Sequence, residues 1–303
     1  MVKILFITEK WHDYNNSFKG LTNNMYNLIG SFECSGYGTY QHCQISPEDI
    51  WTNEGIDHAL LDNEYDAAII SFCHQFPSRE VTKQLGYKIA LCWWDSILSM
   101  DRIKSWSPIV HQLCFDQGQK AVFPNCFSVE TPQDTRYFYK DNTMEDIDVS
   151  FTGSMSVSDW PDRQILVEKI RNANINIWTG GGRNEGNLSI KEYSDIFRHS
   201  KICLNFSYGQ HKPQKKGRAF EIASCGQFML TNCPEMYAGW FEDGVDFISF
   251  TSEDIIDKIH YYLAHRDKRE AIANNMYKKS IRYSPKYFWW KIIAICNQTH
   301  LLL

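Results

Sequence analysis

The sequence predicts an α/β protein made of two doubly wound parallel sheets, one in each half of the chain. Three observations carry this expectation. The chain has 303 residues, more than one ordinary hydrophobic core holds and comfortable for two. Short apolar, β-rich runs alternate with helical patterns throughout, the pattern of parallel strands joined by helical crossovers. The polar stretch "DNTMEDID" (141–148) interrupts that alternation near the middle and reads as a linker.

In the first half, "KILFIT" reads as a strand and is followed by a helical stretch near Leu21 to Phe32. "YDAAIISFC" precedes the helical "PSREVTKQLG", and "YKIALCWW" precedes "SMDRIKSW". "HQLCF" and "AVFPNCF" complete this set of strands. After the linker, "IDVSFTGS" is a strand ending in a Gly-Ser turn, and "PDRQILVEKIRNA" is a helix with Pro161 at its start. "INIWTGGG" is the next strand. "SIKEYSDIFRHS" is a helix with Ser189 as N-cap and Glu192 in the capping-box position. "KICLNFS" is a strand, and "AFEIASCG" is a helix closed by Gly226. "QFMLTN" and "VDFISF" are strands around the short helix "EMYAGWF", and two amphipathic helices follow in "TSEDIIDKIHYYLAH" and "KREAIANNMYKKSI". Two Rossmann-like domains facing a central cleft are therefore expected. They would be an N-terminal domain over 1–145 and a C-terminal domain over 146–284, with 285–303 crossing back to the first.

Composition narrows the function classes. Hydrophobic residues make up 43% and charged residues 22%, an ordinary globular balance. A net charge of −5 does not advertise a nucleic-acid surface, so any anion site must be a local pocket. The ten cysteines are scattered without a C-x-x-C pair, which argues against structural zinc. They read as reduced core residues of a cytoplasmic protein. Met1 leads directly into a strand, with no secretory leader pattern. No apolar stretch approaches the roughly 18 residues of a membrane span, so stable membrane insertion is not expected. The aromatic run "SPKYFWWKIIAI" reads as apolar packing, with membrane-surface docking as the lesser alternative.

Ligands of open α/β sheets bind at strand carboxyl ends and helix N-termini. In the second half this points to Gly153 and Ser154, which either admit a phosphate or form a simple turn. Gly180 and Gly181 either border a nucleotide base or belong to a surface loop. Lys216 and Arg218, with Lys212 and Lys215 nearby, place positive charge beside a helix start. Glu221 sits between Phe220 and Ile222 in an apolar run, where a carboxylate needs donors. Those donors are either a bound polyol or its own helix and Arg218. In the first half, His12, Asp13 and Lys19 follow the first strand, His74 follows "IISFC", and Asp95 follows "IALCWW". Asp95, His74 and His12 are the candidates for catalysis, and a helix N-cap is the alternative role for Asp95. Trp93 and Trp94 flank Asp95; sugars stack on aromatic faces, but one of the pair must face the core.

The pieces "KICLNFS", "KGRAFEIASCGQFMLTN", "WFEDGVDFISF" and "EDIIDKIHYYLAHRDKREAIANNMYKKS", in that order, resemble the C-terminal domain of GT-B glycosyltransferases. The likeness is to the CgeB-like, family 4-like branch (glycosyl transferases group 1), and it covers about Lys191 to Ser284. It implies a nucleoside diphosphate sugar, UDP-linked or another, as donor on the second domain, with no separate cofactor. It also implies an acceptor hydroxyl on the first domain, from a glycan, small molecule, protein or modified DNA. Glu221 matches the second glutamate of the family's E-x7-E motif, which hydrogen-bonds the donor ribose. The first glutamate falls on Pro213, a departure that bears on the sugar-contacting half of the motif. Metal-independent transfer with retention is the implied chemistry, the leaving diphosphate being stabilised by lysine, arginine and a helix dipole. A DNA-base glycosyltransferase of phage type and a non-catalytic nucleotide- or sugar-binding scaffold are the alternatives.

Overall fold

In a computed structural model of the chain, the structure describes residues 1–9, 11–12, 18–20, 23–45, 64–72, 88–94, 100–106, 110–118, 125–155, 161–181, 188–209 and 212–297. The chain divides into two compact units, one made of Met1–Asp134 and Tyr283–Leu303, the other of Thr135–Arg282.

The first unit holds strands β1 (Val2–Glu9), β2 (Trp11–His12), β3 (Phe18–Gly20), β4 (Gly38–Ile45), β5 (Ala67–Phe72), β6 (Ile89–Trp93), β7 (His111–Cys114) and β8 (Cys126–Ser128). Among the described residues before the second unit, its helices are α1 (Asn23–Ser35) and α2 (Met100–Trp106). Six strands form one sheet in the order β4-β1-β5-β6-β7-β8, every neighbouring pair parallel. β2 and β3 make a separate antiparallel pair.

Every residue of β6 is buried, because the sheet is covered on both faces. That decides the fate of the tryptophan pair. Trp93 packs into the core on one face, its Nε1 donating to Gln112 Oε1 at 2.9 Å. Trp94 packs on the other face, stacked on Phe115 at 4.0 Å and donating to Ser71 Oγ at 2.8 Å. Both rings are therefore core, where the sequence had left one of them available to a sugar. β4 is a further difference: "GTYQHCQI" is too polar to read as a strand, yet it forms the sheet edge along all of β1. An edge strand buries little, so its sequence carries little of the apolar signal.

The last helix of the chain, α8 (Pro285–Cys296), lies against α1 within this same unit. Trp289 is fully buried there, edge-on to Phe6 and Phe32, and its Nε1 donates to Ser31 Oγ at 2.9 Å.

The second unit contains β9 (Ile147–Gly153), α3 (Pro161–Asn172), β10 (Ile177–Gly181), α4 (Ile190–His199), β11 (Ser200–Asn205), β12 (Tyr208–Gly209) and β13 (Lys212–Pro213). It continues with α5 (Arg218–Cys225), β14 (Met229–Thr231), a 3-10 turn (Pro234–Tyr237), β15 (Ile248–Ser249), α6 (Ile255–Ala264) and α7 (Arg266–Ser280). Five strands are parallel in the order β10-β9-β11-β14-β15. The expected caps are present. Ser189 and Glu192 form the capping box of α4, and Gly226 ends α5 at φ +71°.

The strands expected from "QFMLTN" and "VDFISF" shorten to three and two residues, and "EMYAGWF" tightens to the 3-10 turn. The polar run that reads as a linker is tied to the second unit by the ion pairs Asp141–Arg198 and Glu145–Arg269 and by a hydrogen bond between Asp146 and the His199 ring. All nine described cysteines carry free thiols, eight of them buried.

Candidate active site

The strand order of the second unit sets the place. The chain crosses from β9 outward to β10, then returns past β9 to β11. The crossover therefore reverses direction between β9 and β11, the position where doubly wound sheets open a ligand crevice at the strand carboxyl ends. β9 ends there at Gly153 and β11 at Asn205.

Gly153 adopts φ +145°, a backbone that residues with a Cβ rarely reach. A Cβ at this position would lie 2.6 Å from Nη2 of Arg218. The glycine thus lets a guanidinium lie directly against the strand end. Arg218, the first residue of α5, has its Cζ 4.7 Å from the centre of the buried Phe151 ring, and Nη1 lies 3.5 Å from Asn205 Oδ1. Among the described residues, its buried Nε meets no hydrogen-bond partner.

A second guanidinium meets the same ring. Arg163, in the first turn of α3, has its Cζ 4.8 Å from the Phe151 ring and donates through Nη1 to the Ser154 carbonyl at 2.5 Å. It is 6% exposed. Burial first, and repulsion from Arg218 second, pull its pKa down to about 9. Arg163 still remains charged at neutral pH, so two guanidiniums of like charge pack against one aromatic ring. The sequence reading passed over Arg163. The signal that finds it is an arginine in the first turn of the helix that follows "FTGS".

The neighbouring lysines make contacts of their own, and the Lys212 side chain lies outside the described residues. Lys215 is 1% exposed, with its Nζ 3.9 Å from the centre of the Trp240 ring. Lys216 donates through its backbone N–H to Tyr237 Oη at 3.1 Å and through Nζ to Gln214. Tyr237 Oη also meets Asn205 Nδ2 at 2.7 Å and Ser207 Oγ at 2.8 Å, which fixes the entry of α5 against the end of β11.

Glu221 lies one turn into α5 and is 3% exposed. Its Oε2 accepts from the Tyr193 hydroxyl of α4 at 2.7 Å. This partner, 28 positions away, leaves no local signal in the sequence. Gly180 and Gly181 end β10; Gly181 has φ +76°, with Leu188 3.2 Å from where its Cβ would stand. Asp95 and His74 lie outside the described residues, as does the His12 side chain; the His12 backbone belongs to β2. Among the described residues, no group of three or more His, Cys, Asp or Glu could hold a metal, and no helix is long and apolar enough to cross a membrane.

Residues 139–287 match a protein family described as glycosyl transferase-like. Solved structures are similar over nearly the whole chain. Anabaena HepE, in complex with UDP-glucose, matches with a TM-score of 0.62 at 11% identity, over 97% of this chain and 98% of its own. The DNA-modifying enzyme β-glucosyltransferase, solved with and without uridine diphosphoglucose, matches with 0.59 at 15% identity, over 96% and 99%. AviGT4, a glycosyltransferase of avilamycin A biosynthesis, matches with 0.53 at 11% identity, over 97% and 98%. No curated protein matches the chain by sequence. At these identities the structural likeness carries the fold, and the family match carries the second half of the chain. The chain therefore has the GT-B fold, and its second half, residues 139–287, is a glycosyl transferase-like domain.

Proposed function

We propose that this protein is a glycosyltransferase that takes its sugar from a UDP-sugar and transfers it to an acceptor hydroxyl, with Arg163 and Arg218 holding the diphosphate and Glu221 the ribose. The carrying observation is the pair of charged, largely buried guanidiniums on the Phe151 ring at the end of β9. Two fixed positive charges there stabilise the diphosphate as it leaves, when negative charge builds on its β-phosphate oxygens. No metal is needed for that step on this reading. Gly153, Ser154 and Lys216, two residues before α5, form the wall of the diphosphate site, and Gly180 and Gly181 border the base. HepE and the DNA-modifying enzyme were solved with UDP-glucose, which makes that donor the first to test.

Asp95 is the proposed contact to the acceptor, and His74 and His12 are the second and third candidates. In sequence, all three positions come shortly after strands of the first sheet. Retention at the anomeric carbon is the proposed course; an inverted product would make Asp95 the general base. A modified DNA base is the second acceptor to test, because one neighbour in fold is a DNA-modifying enzyme.

The test is a thermal-shift series with UDP, GDP, ADP and dTDP, followed by donor hydrolysis without acceptor. A ligand at a hundred times its Kd stabilises by about 2.7 kcal/mol, which a melt resolves easily. UDP should stabilise most, and Glu221→Ala should weaken UDP by at least about tenfold. Asp95→Asn should cut turnover and leave UDP affinity intact. Absence of stabilisation by every nucleotide at millimolar concentration refutes the donor site. Binding without hydrolysis or transfer makes the protein a nucleotide-binding scaffold.

A further inference from the structure

Tyr193 is a buried polar residue that donor binding, as described, does not use. Its position is fixed from three sides. The capping box at Ser189 and Glu192 locks the first turn of α4, on which Tyr193 stands. Its ring meets Phe138 edge-on at 6.1 Å and Phe197 edge-on at 4.9 Å. Its hydroxyl reaches Glu221 Oε2 at 2.7 Å. A phenylalanine would pack equally well here, so burying the hydroxyl is justified by what it bonds.

We propose that Tyr193 is the positioning residue for the Glu221 carboxylate and, through it, sets this enzyme's preference for ribonucleotide over deoxyribonucleotide donors. The proposal rests on the reading of Glu221 as the ribose acceptor and adds the group that orients it. A glutamate side chain has a broad terminal torsion, so a helix alone does not fix the plane of its carboxylate. Vicinal ribose hydroxyls need that plane set before they arrive. Tyr193 supplies the fixed point: burial and the neighbouring carboxylate charge push the phenol pKa up, so the hydroxyl stays a donor across the working pH range. The carboxylate then meets the donor already oriented, which lowers the ordering cost of recognition.

The experiment compares UDP with 2′,3′-dideoxy-UDP by calorimetry in four proteins: wild type, Tyr193→Phe, Glu221→Ala and the double variant. Wild type should prefer UDP by about tenfold or more. Tyr193→Phe should cut that preference at least about threefold, almost wholly through weaker UDP binding, with dideoxy-UDP affinity unchanged. In the Glu221→Ala background the tyrosine change should have no further effect on the preference, because the two act as one unit. A wild type without ribose preference overturns the Glu221 reading and this proposal with it. A Glu221-dependent preference that Tyr193→Phe leaves intact overturns the proposal alone. Should Tyr193→Phe fold poorly, Tyr193→Gln, whose amide can still donate, takes its place. Preference retained above that of Glu221→Ala then supports positioning by a donor, and preference fallen to the Glu221→Ala level overturns it.

Discussion

Replacing Arg218 with methionine should weaken nucleotide binding without destabilising the empty protein. The reasoning starts from the charge pair at the end of β9. Arg163 is held in place by the Ser154 carbonyl, and its pKa falls from the ordinary arginine range to about 9. At about 1.4 kcal/mol per tenfold, that fall represents about 5 kcal/mol spent on keeping the folded cation charged. Burial is the larger cause and Arg218 the smaller, so removing Arg218 returns at most about 2 kcal/mol. Against this stands a long contact from Arg218 to Asn205 at 3.5 Å, too long to be worth much, and the packing of the side chain on Phe151, which methionine largely keeps. At pH 7, Arg218→Met should therefore melt no lower than wild type. With UDP present the order should reverse. A charge-assisted contact to phosphate is worth about 1.5–3 kcal/mol, so affinity should fall roughly tenfold to more than a hundredfold. Melting curves with and without UDP, paired with calorimetry, read both quantities. A variant that melts several degrees lower while keeping its UDP affinity would make Arg218 a structural residue and refute the anion-site argument.

Gly153→Ala should lower UDP affinity as well as stability, since the new methyl group would stand 2.6 Å from Arg218 Nη2 on a backbone costing about 1–3 kcal/mol for a non-glycine residue; calorimetry showing wild-type affinity would count against it. His42 and His111 both have pKa values lowered by burial. The unfolded chain therefore binds more protons than the folded one below about pH 6.5, so stability is present at neutral pH and is lost as pH falls through that value. Melts from pH 7.5 to 5.5 should show the loss, and His42→Gln should flatten it. Trp289→Ala should cost about 3–5 kcal/mol in the first unit. Hydrogen exchange should show β1 and β5 amides opening more readily while β9 and β11 keep their protection; equal loss in both sheets would contradict the assignment of α8 to the first unit.

Much of the second unit was legible because its signals are local. Ser189 and Glu192 are three positions apart and cap the helix they announce. Gly226 and Pro161 mark helix ends by their own backbone chemistry. Glu221 stood out because a carboxylate inside an apolar run is costly. What stayed hidden depends on contacts between distant positions. Arg163 gains its meaning only when α3 returns beside Arg218, 55 positions later, and Tyr193 only when α4 meets α5. The aromatic contact of Lys215 was equally hidden, because its partner Trp240 lies 25 positions further along the chain. β4 went unread because an edge strand tolerates "GTYQHCQI".

The return of α8 to the first unit has a consequence for how the protein is made. The second unit is one continuous stretch, Thr135–Arg282, and can close on itself as soon as that stretch has left the ribosome. The first unit is begun earlier but must wait for the final part of the chain. Until residues 285–296 emerge, Phe6 and Phe32 lack the indole that covers them, and Ser31 lacks its donor. The half synthesised first is thus completed last. During synthesis, its uncovered aromatic face is the surface that chaperones or self-association would meet.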